Sequence, residues 1–152
     1  NGAEISFQLY PNSKWGGGWP ENVSVNYYYN NQEKDNSGFI SNYVLDNLNH
    51  KFTTSVTQKI TEKLFLNLRG TFQDRNGTFT KYENKEAVGE VAYDPFWLFH
   101  GKLIYQSDNF EVFVSANNLF NLSYFDLGNV EQPGRWLKAG IRYEFNFDGG
   151  GV

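Results

Sequence analysis

From Trp136 to Phe147 the chain alternates between apolar and polar positions. Leu137, Ala139, Ile141, Tyr143, Phe145 and Phe147 share one parity; Lys138, Gly140, Arg142, Glu144 and Asn146 share the other. A period of two is that of a β-strand, whose successive side chains point to opposite faces. The apolar parity here is long and ends in aromatics, which fits a strand facing lipid better than one facing a second sheet. A soluble sandwich would instead bury Leu66, Val112, Ile141 and Phe145 together.

The same alternation recurs upstream. Ala3–Tyr10 sets Ile5, Phe7 and Leu9 against Ser6, Gln8 and Tyr10 and stops at Pro11, a strand breaker. Val23–Asn30 sets Val23, Val25, Tyr27 and Tyr29 against Ser24, Asn26, Tyr28 and Asn30. A longer strand, 42–60, opposes Leu48, Phe52, Val56 and Ile60 to Lys51, Thr53, Ser55 and Thr57, and turns at Thr61–Lys63. Leu64, Leu66, Leu68, Gly70 and Phe72 then oppose Asn67, Arg69, Thr71 and Gln73. Phe96–Gln106 places Trp97, Phe99, Leu103 and Tyr105 opposite His100, Lys102 and Gln106, and a strand from Phe110 precedes the terminal one. About seven strands follow from this periodicity.

Connections alternate in length. Thr61–Lys63 and Ser107–Asn109 are short, whereas 31–41, 75–94 and 122–134 are long. Outer-membrane barrels pair short periplasmic turns with longer external loops. Pro11–Asn22 is then expected on the periplasmic side despite its length. Within 75–94, the pieces Thr78–Tyr82 and Val88–Tyr93 are expected to extend the flanking strands or form a separate hairpin.

Composition agrees with an all-β, antiparallel transmembrane β-barrel. Aromatics make up 18% of the chain, yet mean hydropathy is -0.59, as expected when only alternate residues face lipid. No apolar run approaches the ~18 residues of a spanning helix. A net charge of -4 argues against a nucleic-acid partner. There is no cysteine, so neither disulfides nor thiolate metal sites arise. Gly16-Gly-Gly18 lacks the Lys-Ser/Thr of a phosphate-binding loop and reads as a turn between Trp15 and Trp19.

Several short motifs resemble one family. Ala116-Asn-Asn-Leu-Phe-Asn121, Gln132-Pro-Gly-Arg135 and the final Tyr-x-Phe look like the C-terminus of TonB-dependent outer-membrane receptors. Leu48-Asn-His-Lys51, Asp74-Arg75 and Asn1-Gly-Ala-Glu4 resemble earlier barrel strands of members that import cobalamin, haem or ferric chelates. The resemblance implies that 1–147 is the C-terminal part, roughly the last third, of a ~22-stranded barrel. A plug domain and a segment meeting TonB would lie upstream. Implied partners are outer-membrane lipid, the remainder of the barrel and the barrel-assembly machinery; the implied location is the bacterial outer membrane. No cofactor is implied. Asp148-Gly-Gly-Gly-Val152 follows the aromatic that usually closes family members, so 148–152 is expected to be a flexible, appended tail.

Nothing in the sequence points to catalysis. There is no G-x-S-x-G elbow and no H-E-x-x-H, and His50 and His100 stand apart in the sequence. Ligand contact in a receptor wall falls to external loops and upper lumen residues. Phe39, Tyr82, Tyr93, Tyr124 and Phe125 are candidates for stacking on a chelate, and Arg69, Lys102 and Arg142 for meeting an anionic one. The same aromatics equally fit an interfacial girdle, and the same charges a solvated lumen. Two other readings stay open: a complete small outer-membrane barrel, and a soluble β-sandwich binding carbohydrate through Trp15, Trp19, Trp97 and Trp136.

Overall fold

A computed structural model describes residues 1–11, 18–31, 48–128 and 130–145. Phe39, Trp15 and the tail 148–152 lie outside these residues. The strands are β1 (Gly2–Leu9), β2 (Asn22–Asn30), β3 (Leu48–Thr61), β4 (Leu64–Arg75), β5 (Thr78–Glu83), β6 (Glu86–Ala92), β7 (Phe96–Gln106), β8 (Phe110–Asn117) and β9 (Trp136–Tyr143). Among the described residues there is no helix. The fold is all-β with antiparallel sheets, as the alternation predicts.

Seven strands form one sheet in the order β1-β2-β3-β4-β7-β8-β9. β5 and β6 pair only with each other, so the 75–94 connection is a separate hairpin and the main sheet keeps seven strands. Its turn puts Asn84 and Lys85 at φ 52° and 71°, the left-handed pair that a tight hairpin with right-handed strand twist requires. At the short-turn end, Gln106 N–H donates to Lys63 O at 2.8 Å and Ser107 N–H to Phe110 O at 2.8 Å. Glu144 N–H donates to Asn109 O at 2.9 Å, which extends the β8–β9 ladder past Tyr143.

The sheet is open, with β1 and β9 at its edges. Because every neighbouring pair is antiparallel, β1 and β9 run in the same direction. An antiparallel ladder can join these two edges only through an odd number of further strands. That is a consequence of direction alone, whichever chain supplies them.

Register sorts the side chains into two faces. Ile5, Tyr27, Phe52, Phe72 and Trp97 form one cross-strand row. Leu9, Val23, Val56, Leu68, Gly101, Ala116 and Leu137 form another. Leu64, Tyr105, Val112 and Ile141 form a third, followed by Phe110 and Tyr143. This apolar face is therefore aliphatic in the middle and aromatic towards both ends. At the long-loop end Trp97 packs against Phe52, Phe72 and Phe99 at ring-centroid distances of 5.9, 5.2 and 5.9 Å. At the short-turn end Tyr105 meets Phe110 at 5.9 Å and Tyr143 meets Phe145 at 4.6 Å.

No protein layer covers this face among the described residues. Ile5, Leu137, Ile141 and Phe145 are 65%, 69%, 75% and 73% exposed. Leu66 and Val112 are half-buried by their own cross-strand neighbours. The buried apolar residues are Phe79, Tyr93 and Leu98, none of which belongs to the apolar face of the main sheet.

The β8–β9 connection is held by two asparagine side chains. Asn118, 4% exposed, adopts φ 50°. Its Nδ2 donates to Leu122 O at 2.8 Å and to Pro133 O at 3.4 Å, while its Oδ1 accepts from Leu122 N–H at 2.9 Å. Asn121, at φ 54°, accepts from Arg135 N–H on Oδ1 at 2.7 Å. A Cβ on Gly134 would stand 2.6 Å from that oxygen, so a side chain there would displace the Asn121 amide from its bond to Arg135 N–H. The Asn-Leu-Phe-Asn and Pro-Gly-Arg segments thus clasp each other: one supplies side-chain amides, the other backbone groups and a missing Cβ.

Candidate functional site

The polar parity of the sheet curls into a groove of about 640 Å³. Lys51, Thr53, Ser55 and Thr57 come from β3, Asn67, Arg69, Thr71 and Gln73 from β4, Leu98, His100 and Lys102 from β7, Ser115 and Asn117 from β8, and Lys138 from β9. They converge because alternate residues of adjacent strands face the same side and the register brings them level. One row reads Thr57, Asn67, Lys102, Ser115, Lys138; the next pairs Ser55, Arg69 and His100.

The groove is basic in a chain of net charge -4. Lys51, Arg69, Lys102 and Lys138 line it and, among the described residues, no Asp or Glu does. The ion pairs lie elsewhere: Lys59 with Glu62, Arg75 with Asp126, Lys81 with Glu83 and Arg142 with Glu111. Lys102 Nζ sits 4.4 Å above the Phe113 ring and Lys138 Nζ 3.9 Å above the Trp136 ring. These contacts hold the ammonium groups over ring faces without neutralising them. A neighbouring depression, lined by Lys51, Arg69 and Tyr28, does include one carboxylate, Glu4.

Below the basic rows the polar face changes character. Phe65, Ile104 and Phe113 form a cross-strand row on the same side, ending at Gly140. A Cβ at Gly140 would come 2.6 Å from the Phe113 ring, so the ring lies flat on the backbone of β9.

The described candidate residues fall into four places. Arg69 and Lys102 are in the groove. Arg142 is not: it lies at the short-turn end, its guanidinium 3.1 Å from Glu111. Tyr93, Tyr124 and Phe125 belong to a cluster at the long-loop end. There Phe79 packs on Tyr93 at 5.1 Å and on Phe125 at 5.2 Å, and Phe96 on Tyr124 at 4.6 Å. Tyr93 is only 6% exposed, and its hydroxyl accepts from Gly128 N–H at 2.7 Å. Arg75 bridges to Asp126 at 3.1 Å and lies 5.9 Å from the Tyr93 ring centre. Burial and the neighbouring Asp126 carboxylate push the Tyr124 phenol above its usual pKa. Tyr82 is exposed on the β5–β6 hairpin.

Sequence reasoning missed Lys51 and Lys138 as groove residues. Both sit on the polar parity, but only the strand order shows that they line the same groove as Lys102 and Arg69. The histidines do not share a site. His50 belongs to the apolar parity, its Nδ1 2.7 Å from Tyr27 Oη and its ring against Tyr29; His100 faces the groove, 3.2 Å from Asn117 Oδ1. Trp97 and Trp136 lie on opposite faces of the sheet, so they cannot form one stacking platform. Among the described residues no cluster of His, Asp and Glu could hold a metal ion.

Comparison with models of known protein families, with curated proteins and with solved structures finds no match for this chain.

Proposed function

We propose that this chain forms part of the wall of an outer-membrane β-barrel, its apolar face on lipid and its polar groove on an aqueous lumen. The observation that carries this reading is the uncovered apolar face, aliphatic in the middle with aromatics at both ends. Outer-membrane barrels present such an apolar band flanked by aromatic girdles. β4 and β7 are 12 and 11 residues long, enough for the ~9–11 residues of a tilted spanning strand. The open edges supply a second argument. Unpaired backbone groups in lipid cost several kcal/mol each, so the sheet requires an odd number of further strands to close around the lumen.

Within that class we favour a TonB-dependent active transporter for a chelate too large for porins. Support comes from the Asn118–Asn121 and Pro133–Arg135 clasp, the segment through which the chain resembles that family. A complete small barrel would need only one further strand. A soluble carbohydrate-binding sandwich would need a second layer over Ile141 and Phe145, where none is described. Detergent dependence and energised uptake test the proposal. The native protein should require micelles to stay monodisperse, and cells carrying it should lose chelate uptake when the proton gradient is collapsed. Monodispersity in plain buffer would refute the membrane reading, and uptake that survives gradient collapse would refute the transporter reading.

A further inference from the structure

We propose that the groove around Arg69, Lys102 and Lys138 binds a small multivalent oxyanion, a ligand carrying two or more carboxylate or phosphate groups. This goes beyond the transporter reading: the anion is a ligand of the polar face in its own right and not the large chelate. It rests on that reading only for the aqueous lumen through which the anion reaches the groove.

The argument is one of charge placement. The chain has 17 acidic residues against 13 basic ones, yet none of the acids among the described residues lines this groove. Lys102 and Lys138 occupy one cross-strand row with Ser115 between them, so their backbones stand ~10 Å apart at the usual strand spacing. Arg69 is diagonal to Lys102 across the β4–β7 pair, at ~7–8 Å. Three cations at this spacing repel one another; no carboxylate among the described residues lies within the groove, Glu4 standing in the neighbouring depression that Arg69 also lines. A concave surface of one sign focuses its potential into the cavity and concentrates counter-ions there.

The surroundings favour a small organic anion over a bare ion. Ser115 and Asn117 add hydroxyl and amide donors at the base of the groove. Trp136, paired in register with Asn117, stands beside the groove with the Lys138 ammonium over its ring. Arginine and lysine together suit carboxylate and phosphate groups, the former by paired N–H donors and the latter as a point charge.

The test is equilibrium binding of two probes, tricarballylate and pyrophosphate, to the native protein in micelles at low and moderate salt. Saturable binding that weakens with salt is expected, and the tighter probe identifies carboxylate or phosphate as the preferred group. Arg69→Gln, Lys102→Gln and Lys138→Gln should each weaken it about fivefold to tenfold, given that each cation is partly open to water. Arg142→Gln, outside the groove, should leave it unchanged. Absence of saturable binding to folded protein would overturn the proposal while leaving the membrane reading intact. An equal loss in Arg142→Gln would overturn it by showing only diffuse attraction. Binding that persists in a protein monodisperse without detergent would uphold the groove and refute the barrel wall.

Discussion

Replacing Asn118 by alanine tests whether the β8–β9 clasp holds the two strands together. The substitution removes three hydrogen bonds, to Leu122 O, Pro133 O and from Leu122 N–H, at a site only 4% exposed. A buried backbone group stripped of its partner costs ~1–3 kcal/mol. The N–H and C=O of Leu122 lose a part-buried partner, and alanine also tolerates the left-handed φ poorly, so a loss of about 2 kcal/mol follows. For a folding unit of about 150–250 residues that lowers the melting temperature by about 4–8 °C. Asn121→Ala removes a single bond at an exposed position but carries the same left-handed φ cost, and should cost about 1–2 kcal/mol. Urea unfolding in micelles, followed by tryptophan fluorescence, measures both. Equal stability of wild type and Asn118→Ala would refute the clasp.

Three other outcomes follow from the same geometry. Leu103→Arg, on the apolar face, should cost ~2–4 kcal/mol in a bilayer, whereas Ser115→Arg in the groove should be tolerated; folding yield into liposomes compares them. Gly140→Ala should cost ~1–3 kcal/mol by driving Cβ into the Phe113 ring, and pairing it with Phe113→Ala should recover part of that loss in a double-mutant cycle. On the exposed hairpin, hydrogen bonds from the Thr80 and Thr78 hydroxyls hold the Glu90 carboxyl below its usual pKa. A depressed carboxylate stabilises the fold above its unfolded pKa and loses that contribution as pH falls through the folded value. An NMR titration should therefore place Glu90 below the peptide range, and Thr80→Val should move it back up.

The strands were readable in the sequence because a period of two survives intact along a sheet with one apolar and one polar face. Phe96–Gln106 matches β7 residue for residue, and the turns at Thr61–Lys63 and Ser107–Asn109 lie where polar residues interrupt the alternation. What parity cannot show is which strands adjoin. β4 pairs with β7 because the intervening hairpin folds on itself, and this pairing brings Arg69 beside His100 and, through β8, sets Lys138 in the same groove. Loop aromatics were equally opaque. Tyr82 and Tyr93 look alike in sequence, but Tyr93 is buried against Phe79 and bonded to Gly128, whereas Tyr82 is exposed. Arg142 carries the right charge and parity for the groove, yet its register sets it at the opposite end, against Glu111.

The most direct test of the proposal that the sheet's apolar face meets lipid uses the absence of cysteine, which allows single spin labels to be placed at will. Labels at Leu103, Tyr105 and Ile141 should collide with lipid-dissolved oxygen and escape a water-soluble nickel chelate. Labels at His100 and Lys102 should show the reverse, giving a period of two along β7. Labels at 103, 105 and 141 that are shielded from both reagents, or reached by nickel as readily as those at 100 and 102, would contradict the account.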